Sequence, residues 1–237
     1  MVVAPPVRRI RWAAATRIVA SRYPPIDLYE RVSADPAVWE ALIAAEQLTN
    51  PRLRDAAGEI SLVRADDRIS GPGASYVMAP FTHLNPKGSR FADARCGAYY
   101  AAEGLKTAIA ETAYHFARFA ADSRDGPRYE DMRVLVGRID AVLHDLDHWD
   151  DPARERALDP EDYTFSQAFA VGLREGGSAG LHYPSIRCAG GRCVAVFRPA
   201  SVGIPVQTKH LQYHWDGTAV RRYFDFEDGA WVELRSG

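Results

Sequence analysis

The chain has 237 residues, 47% of them hydrophobic and 25% charged, proportions that suit a globular protein able to bury a sizeable core. A formal net charge of -2 excludes the bulk basic field that drives sequence-independent binding to nucleic acid. No apolar run approaches the roughly 18 to 20 residues that cross a bilayer, and Met1 to Arg11 has charges but no apolar stretch of a secretory signal, so a cytoplasmic location away from membranes is expected.

In chain order, residues 1–59 read as an N-terminal helical extension packed on the core, and residues 60–237 as the main domain. Asp35 suits an N-cap and Pro36 the first helical position, and Val38, Trp39, Leu42, Ile43 and Leu48 recur at helical spacing before Asn50-Pro51 stops the pattern. Strand-like Ile60 to Arg64 leads into an irregular stretch from Ala65 to Asp93 with several Gly and Pro. Loops of that length in a compact domain are usually functional or disordered.

Gly97 to Ala102 reads as a short strand entering a helix from Gly104 to Ala120. On a 3.6-residue wheel, Leu105, Ala108, Ile109, Thr112, Phe116 and Phe119 form a buried stripe about 100° wide. Glu111 falls on the polar side, near Thr107 and Arg118, with His115 at the border. By itself this row reads as a solvated face with one weak i, i+4 pair. A strand at Arg133 to Ile139 follows, and the acidic run His144 to Asp151 reads as a solvated loop. Asp159-Pro160-Glu161 has the grammar of a helix start, Phe165, Phe169 and Leu173 give that helix its buried face, and Glu175-Gly176-Gly177 ends it.

Beyond this the period is that of strands: Gly180 to Tyr183, Cys193 to Phe197, and a terminal meander with turns at Asp216-Gly217 and Asp228-Gly229. Short strands with a few helices make the class α+β. The three cysteines, Cys96, Cys188 and Cys193, are expected to be reduced thiols. Cys188 and Cys193 bracket a hairpin turn with His182 as the nearest other soft ligand, which is too few for zinc, and no metal is expected.

Missing motifs count against several common enzyme classes, though not against NAD binding on another fold. Gly71-Pro72-Gly73 lacks the later glycine and helix of a dinucleotide fingerprint, and neither a phosphate-loop Gly-Lys-Ser/Thr nor a Gly-x-Ser-x-Gly elbow occurs. The remaining pieces are Arg64 after its strand, Gly88-Ser89-Arg90-Phe91, Tyr99-Tyr100, Glu111 in its helix, and Tyr183-Pro184-Ser185.

Taken together, these pieces resemble the RES-domain family, the toxins of RES/Xre toxin–antitoxin pairs. The family's Arg-Phe matches Arg90-Phe91, its tyrosine Tyr100, its helix glutamate Glu111 and its Tyr-Pro-Ser Tyr183-Pro184-Ser185. An earlier arginine matches Arg64. The match spans about Ile60 to Pro199.

The resemblance implies a compact fold like that of ADP-ribosyltransferases and chemistry on NAD. Catalytic roles then fall to Glu111, Arg90 and Ser185, and NAD contacts to Arg64, Arg90, Tyr100 and Ser185. A carboxylate suits the cationic ribose that forms when nicotinamide leaves, and arginine forks suit the pyrophosphate. The tyrosine ring suits stacking and the serine hydroxyl a ribose or carboxamide. NAD degradation by hydrolysis or phosphorolysis is the leading expectation. Mono-ADP-ribosylation of a cellular protein is the alternative, and a non-catalytic nucleotide-binding module the second. The implied partner is a cognate antitoxin, Xre-like or related, expected to contact the Ala65 to Arg90 rim.

Overall fold

The computed structural model describes residues 3–23, 38, 41, 58–124 and 126–234. Besides helical Val38 and Ala41, eight strands and four α-helices are bounded within them: β1 (Val7–Ala20), α1 (Ser75–Thr82), β2 (Tyr99–Ala102), α2 (Leu105–Asp122), β3 (Arg128–Asp145), α3 (Ala153–Ala157), α4 (Thr164–Glu175), β4 (Gly180–Pro184), β5 (Arg192–Val196), β6 (Val206–Trp215), β7 (Val220–Asp225) and β8 (Ala230–Glu233). The strands lie in the order β1-β2-β5-β4-β3-β6-β7-β8, and β1 also pairs with β3. The first five strands therefore close a ring, and β6 to β8 extend from it as an antiparallel meander.

The fold is α+β, as the sequence indicates. Both Asp-Gly turns of the meander are present, with Gly217 at φ 98° and Gly229 at φ 62°, the left-handed region that such turns require.

Alternation along the strands divides the interior in two. Tyr100 and Ala102 of β2, Cys193 and Ala195 of β5, and Met132 and Val134 of β3 face one core, which α2, α3 and α4 cover. Their neighbours Tyr99, Ala101, Val194, Val196, Ile139 and Leu143 face the other, which α1 covers through Val77, Met78 and Phe81. Each large side chain buried in this way contributes roughly 1.5–3 kcal/mol.

Several sequence expectations change. Residues 7–20 form a strand that pairs with β3 from Val7 opposite His144 to Ala20 opposite Met132, so the reading of residues 1–59 as a helical extension misses a sheet member. Of the expected helix after Asp35, Val38 and Ala41 are helical and exposed, and the remainder lies outside the described residues. Ile60–Leu62 is a 3-10 turn rather than a strand, and the supposed loop from Ala65 to Asp93 contains α1, with Pro80 inside it. On α2, Phe119 is 47% exposed whereas Thr107 is buried. A Cβ at Gly191 would stand 2.5 Å from Thr107 Oγ1, so glycine there lets the β4–β5 turn close on the helix.

The acidic run departs most from its reading as a solvated loop. Asp145 ends β3 with 1% exposure, and Leu146 and Trp149 are buried beside it. Its carboxylate accepts from His182 Nδ1 and His148 Nδ1, each at 2.8 Å, and from the backbone N–H of Asp147 at 3.1 Å. Burial pushes the Asp145 carboxyl up, but these bonds together hold it below its ordinary value. A depressed carboxylate contributes stability that is fully present above about pH 4 and is lost as pH falls. Asp145→Asn turns a donor toward the histidine donors, and is expected to cost about 2–4 kcal/mol in urea unfolding. Unchanged stability would contradict this account of the buried run.

Candidate functional site

A cavity of about 730 Å³ opens between β1, β2, α2 and the loop before β2, within the size range of small-molecule sites. Arg90, Tyr100 and Glu111 line it together with Arg17, His115 and Tyr183. Sequence positions far apart are thus brought to one wall.

α2 carries Glu111 at the border of its buried face, with the side chain 19% exposed. Ser185, in the turn after β4, donates its hydroxyl proton to Glu111 Oε1 at 2.6 Å. Ser185 Oγ in turn accepts from the backbone N–H groups of Arg187 at 3.2 Å and Cys188 at 3.0 Å. With both kinds of bond in use, the hydroxyl is fixed and holds the carboxylate in one orientation. Ser185 stands behind Glu111 rather than in the cavity wall.

His115, one turn along α2, places Nε2 3.9 Å from Glu111 Oε2. Its ring is half exposed; partial desolvation lowers its pKa, Glu111 opposes this, and Arg90, Arg187 and Arg118 reinforce it, a direction that favours the neutral imidazole. Burial, and then the Glu111 charge, push the Cys193 thiol up, and burial raises Tyr183 well above its usual range. Both therefore stay protonated. The side chains in contact with the Glu111 carboxylate are those of Ser185, His115 and Cys193, and the arginines of the cavity stand beyond them.

Arg90 is buried, its guanidinium 4.5 Å from the centre of the Tyr163 ring, and it donates to the Asp159 carbonyl. The loop holding it is braced from several sides. Tyr100 OH meets Ser89 Oγ at 2.8 Å and accepts from Phe91 N–H at 2.9 Å, and Gln167 donates to the Ser89 carbonyl at 3.0 Å. Gly88 sits at φ 67°, where a Cβ would meet the Ala92 carbonyl at 2.5 Å, so only glycine fits this turn. The Tyr100 hydroxyl is thus spent on the loop, and its ring faces the cavity.

Arg64 is elsewhere. It is exposed and lines a second cavity of about 350 Å³ with Arg174 and Arg198. The main cavity instead contains Arg17 of β1, half-buried, which donates to the Tyr100 carbonyl at 3.0 Å and lies 4.8 Å from the Tyr99 ring centre. Its Nε is buried without a hydrogen-bond partner, and burial lowers its pKa, although a guanidinium stays charged at any ordinary pH. Sequence reasoning missed this residue because only the pairing of β1 with β2, at Thr16 opposite Ala102, brings it to the site. The alternating β-branched run around Arg17 was the available signal.

The expected rim also narrows, since of the Ala65 to Arg90 segment only Asn85 to Arg90 borders this cavity. Away from it, Asp145, Asp147 and His182 bring potential metal ligands within 4.8 Å of one another. Arg192 pairs with Asp147 and Arg8 lies 3.6 Å from Asp145, so the carboxylate charge there is already answered by cations.

A model of the RES domain matches residues 64–216 of this chain. The uncharacterized protein y4oC of Sinorhizobium fredii is 29% identical over 214 residues, spanning 90% of this chain and 87% of that protein. Among solved structures, a chain of the M. tuberculosis MbcT–MbcA toxin–antitoxin complex is similar at 13% identity and a TM-score of 0.41, covering 84% of this chain and 86% of its own. β1 and Arg17 precede the span that the family model matches.

Proposed function

The chain belongs to the RES-domain family, and from that premise we propose that it is a toxin that takes NAD into the main cavity and breaks the nicotinamide–ribose bond. The observation that carries the reading is the Glu111 carboxylate, oriented by the Ser185 hydroxyl, on a cavity wall shared with Arg17 and Arg90.

The chemistry asks for this set of groups. When the bond between ribose C1 and the pyridinium nitrogen breaks, its electron pair goes to the nitrogen and nicotinamide leaves uncharged, so no acid is needed. Positive charge builds on the ribose instead, and a fixed carboxylate beside it stabilises the transition state more than the ground state. Water or phosphate then attacks C1. The proton that an attacking water sheds has two acceptors at hand, Glu111 and the neutral His115. Arg17 and Arg90 supply charge and forked donors for the pyrophosphate, and the Tyr100 and Tyr163 rings border the space for the bases.

Replacing either cavity arginine with lysine keeps the charge but loses the fork. Arg17→Lys and Arg90→Lys should each weaken NAD binding about tenfold, the scale of one charge-assisted hydrogen bond, by calorimetric titration, whereas Arg64→Lys leaves it unchanged. An effect of Arg64→Lys alone would move the pyrophosphate to the second cavity. Incubation with labelled NAD and cell extract separates degradation from transfer: label retained on protein supports mono-ADP-ribosylation, and label released as free ADP-ribose or its phosphate supports degradation. A cognate antitoxin is the implied partner, and the braced Asn85 to Arg90 rim is the surface it would cover.

A further inference from the structure

We propose that the second cavity is a binding site for a small oxyanion, a carboxylate or phosphate group on an apolar body, held by Arg64 and Arg174. Four guanidinium groups line it, those of Arg64, Arg95, Arg174 and Arg198, against the single carboxylate of Asp67. Arg198 is committed to Asp67 at 2.8 Å, and Arg95 to Asp93, outside the lining, at 2.7 Å. Arg64 and Arg174 have no carboxylate partner among the described residues.

Arg174 is the more telling of the two. Its Nη2 donates to the Gly97 carbonyl at 2.8 Å and to the Phe91 carbonyl at 3.4 Å, its guanidinium lies 3.7 Å from the centre of the Phe197 ring, and its Nε is buried with no hydrogen-bond partner. The charge is thus partly withdrawn from water and answered by two carbonyl dipoles and a ring face, with Asp93, already paired with Arg95, acting on it without direct contact. A guanidinium cannot neutralise itself by losing its proton, and a half-buried charge with no carboxylate in contact is costly, so an anion in the cavity offsets what the protein leaves uncompensated. Arg64, exposed at the mouth, adds a second unpaired fork, and two forks suit the oxygens of a carboxylate or phosphate. Apolar Val63, Phe81 and Phe197 supply the rest of the wall, which fits an aromatic or aliphatic body behind the anionic head.

The test is calorimetric titration of the full chain with benzoate and with phenyl phosphate, in phosphate-free buffer of low chloride. Saturable one-to-one binding of at least one probe is expected, and the preferred probe identifies the head group. Arg64→Gln, at an exposed position that leaves the fold intact, should weaken binding about tenfold, and Arg174→Gln at least as much where it folds. Arg90→Gln, in the main cavity, should leave probe binding unchanged. No saturation by either probe up to about 10 mM, a range that still detects millimolar affinity, overturns the proposal, as does Arg64→Gln binding like the parent or a loss confined to Arg90→Gln. The main-cavity reading stands or falls separately, because nicotinamide release without probe binding sinks this site alone.

Discussion

Glu111→Gln is expected to slow nicotinamide release by about two to three orders of magnitude while NAD still binds, the scale of removing one preorganised electrostatic stabiliser. Glutamine has nearly the same shape, and its carbonyl can still accept the Ser185 hydroxyl now 2.6 Å from Glu111 Oε1. The substitution therefore removes charge and little else. Single-turnover kinetics at saturating NAD isolates the chemical step, and calorimetry measures binding on the same variant. An unchanged rate would leave Glu111 a structural role alone, as the acceptor of the Ser185 hydroxyl.

The largest expected loss of stability is at Gly97. A Cβ there would fall 1.8 Å from the Pro80 carbonyl oxygen and 2.7 Å from the Phe81 Cα, both backbone atoms that no rotamer change can move aside. Gly97→Ala therefore forces α1 away from the start of β2, disturbing the second core where Val77, Met78 and Phe81 pack. Urea unfolding should show a loss of about 4 kcal/mol or more, in the exceptional range for a single substitution. Gly172→Ala is the matched control, since a Cβ at this α4 position meets nothing within 4 Å. It should stabilise the protein by about 0.5–1 kcal/mol through helix propensity. Equal behaviour of the two alanines would contradict the close approach of α1 to β2.

Local pattern and long-range pairing were not equally legible in the sequence. α2 was readable because Ala108, Ile109 and Phe116 recur at helical spacing, and all three are buried. The meander was readable because Asp-Gly specifies its own turn. α1 was hidden by Gly71-Pro72-Gly73 before it and Pro80 within it, residues that speak for a loop, yet its apolar side chains find a core that forms only when β2 and β5 are in place. β1 was hidden by its arginines Arg8, Arg9 and Arg11, all exposed, which mask the alternation of Ile10, Thr16, Ile18 and Ala20.

The candidate site divides along the same line. Arg90, Tyr100 and Glu111 come from one continuous stretch, and their spacing carried the resemblance. Arg17 and Arg64 could not be sorted from sequence, because which arginine reaches the cavity depends on the pairing of β1 with β2. What the Ser185 hydroxyl bonds to depends in turn on the turn geometry: its oxygen accepts two backbone N–H bonds and its proton goes to Glu111.

The central claim is tested most directly by incubating the purified chain with NAD alone and quantifying nicotinamide by chromatography. The account predicts nicotinamide released in step with NAD consumed, over many turnovers, with ADP-ribose formed in water and its phosphate ester when phosphate is the nucleophile. NAD bound but recovered intact, with no nicotinamide above the uncatalysed background, would contradict it and leave a nucleotide-binding module.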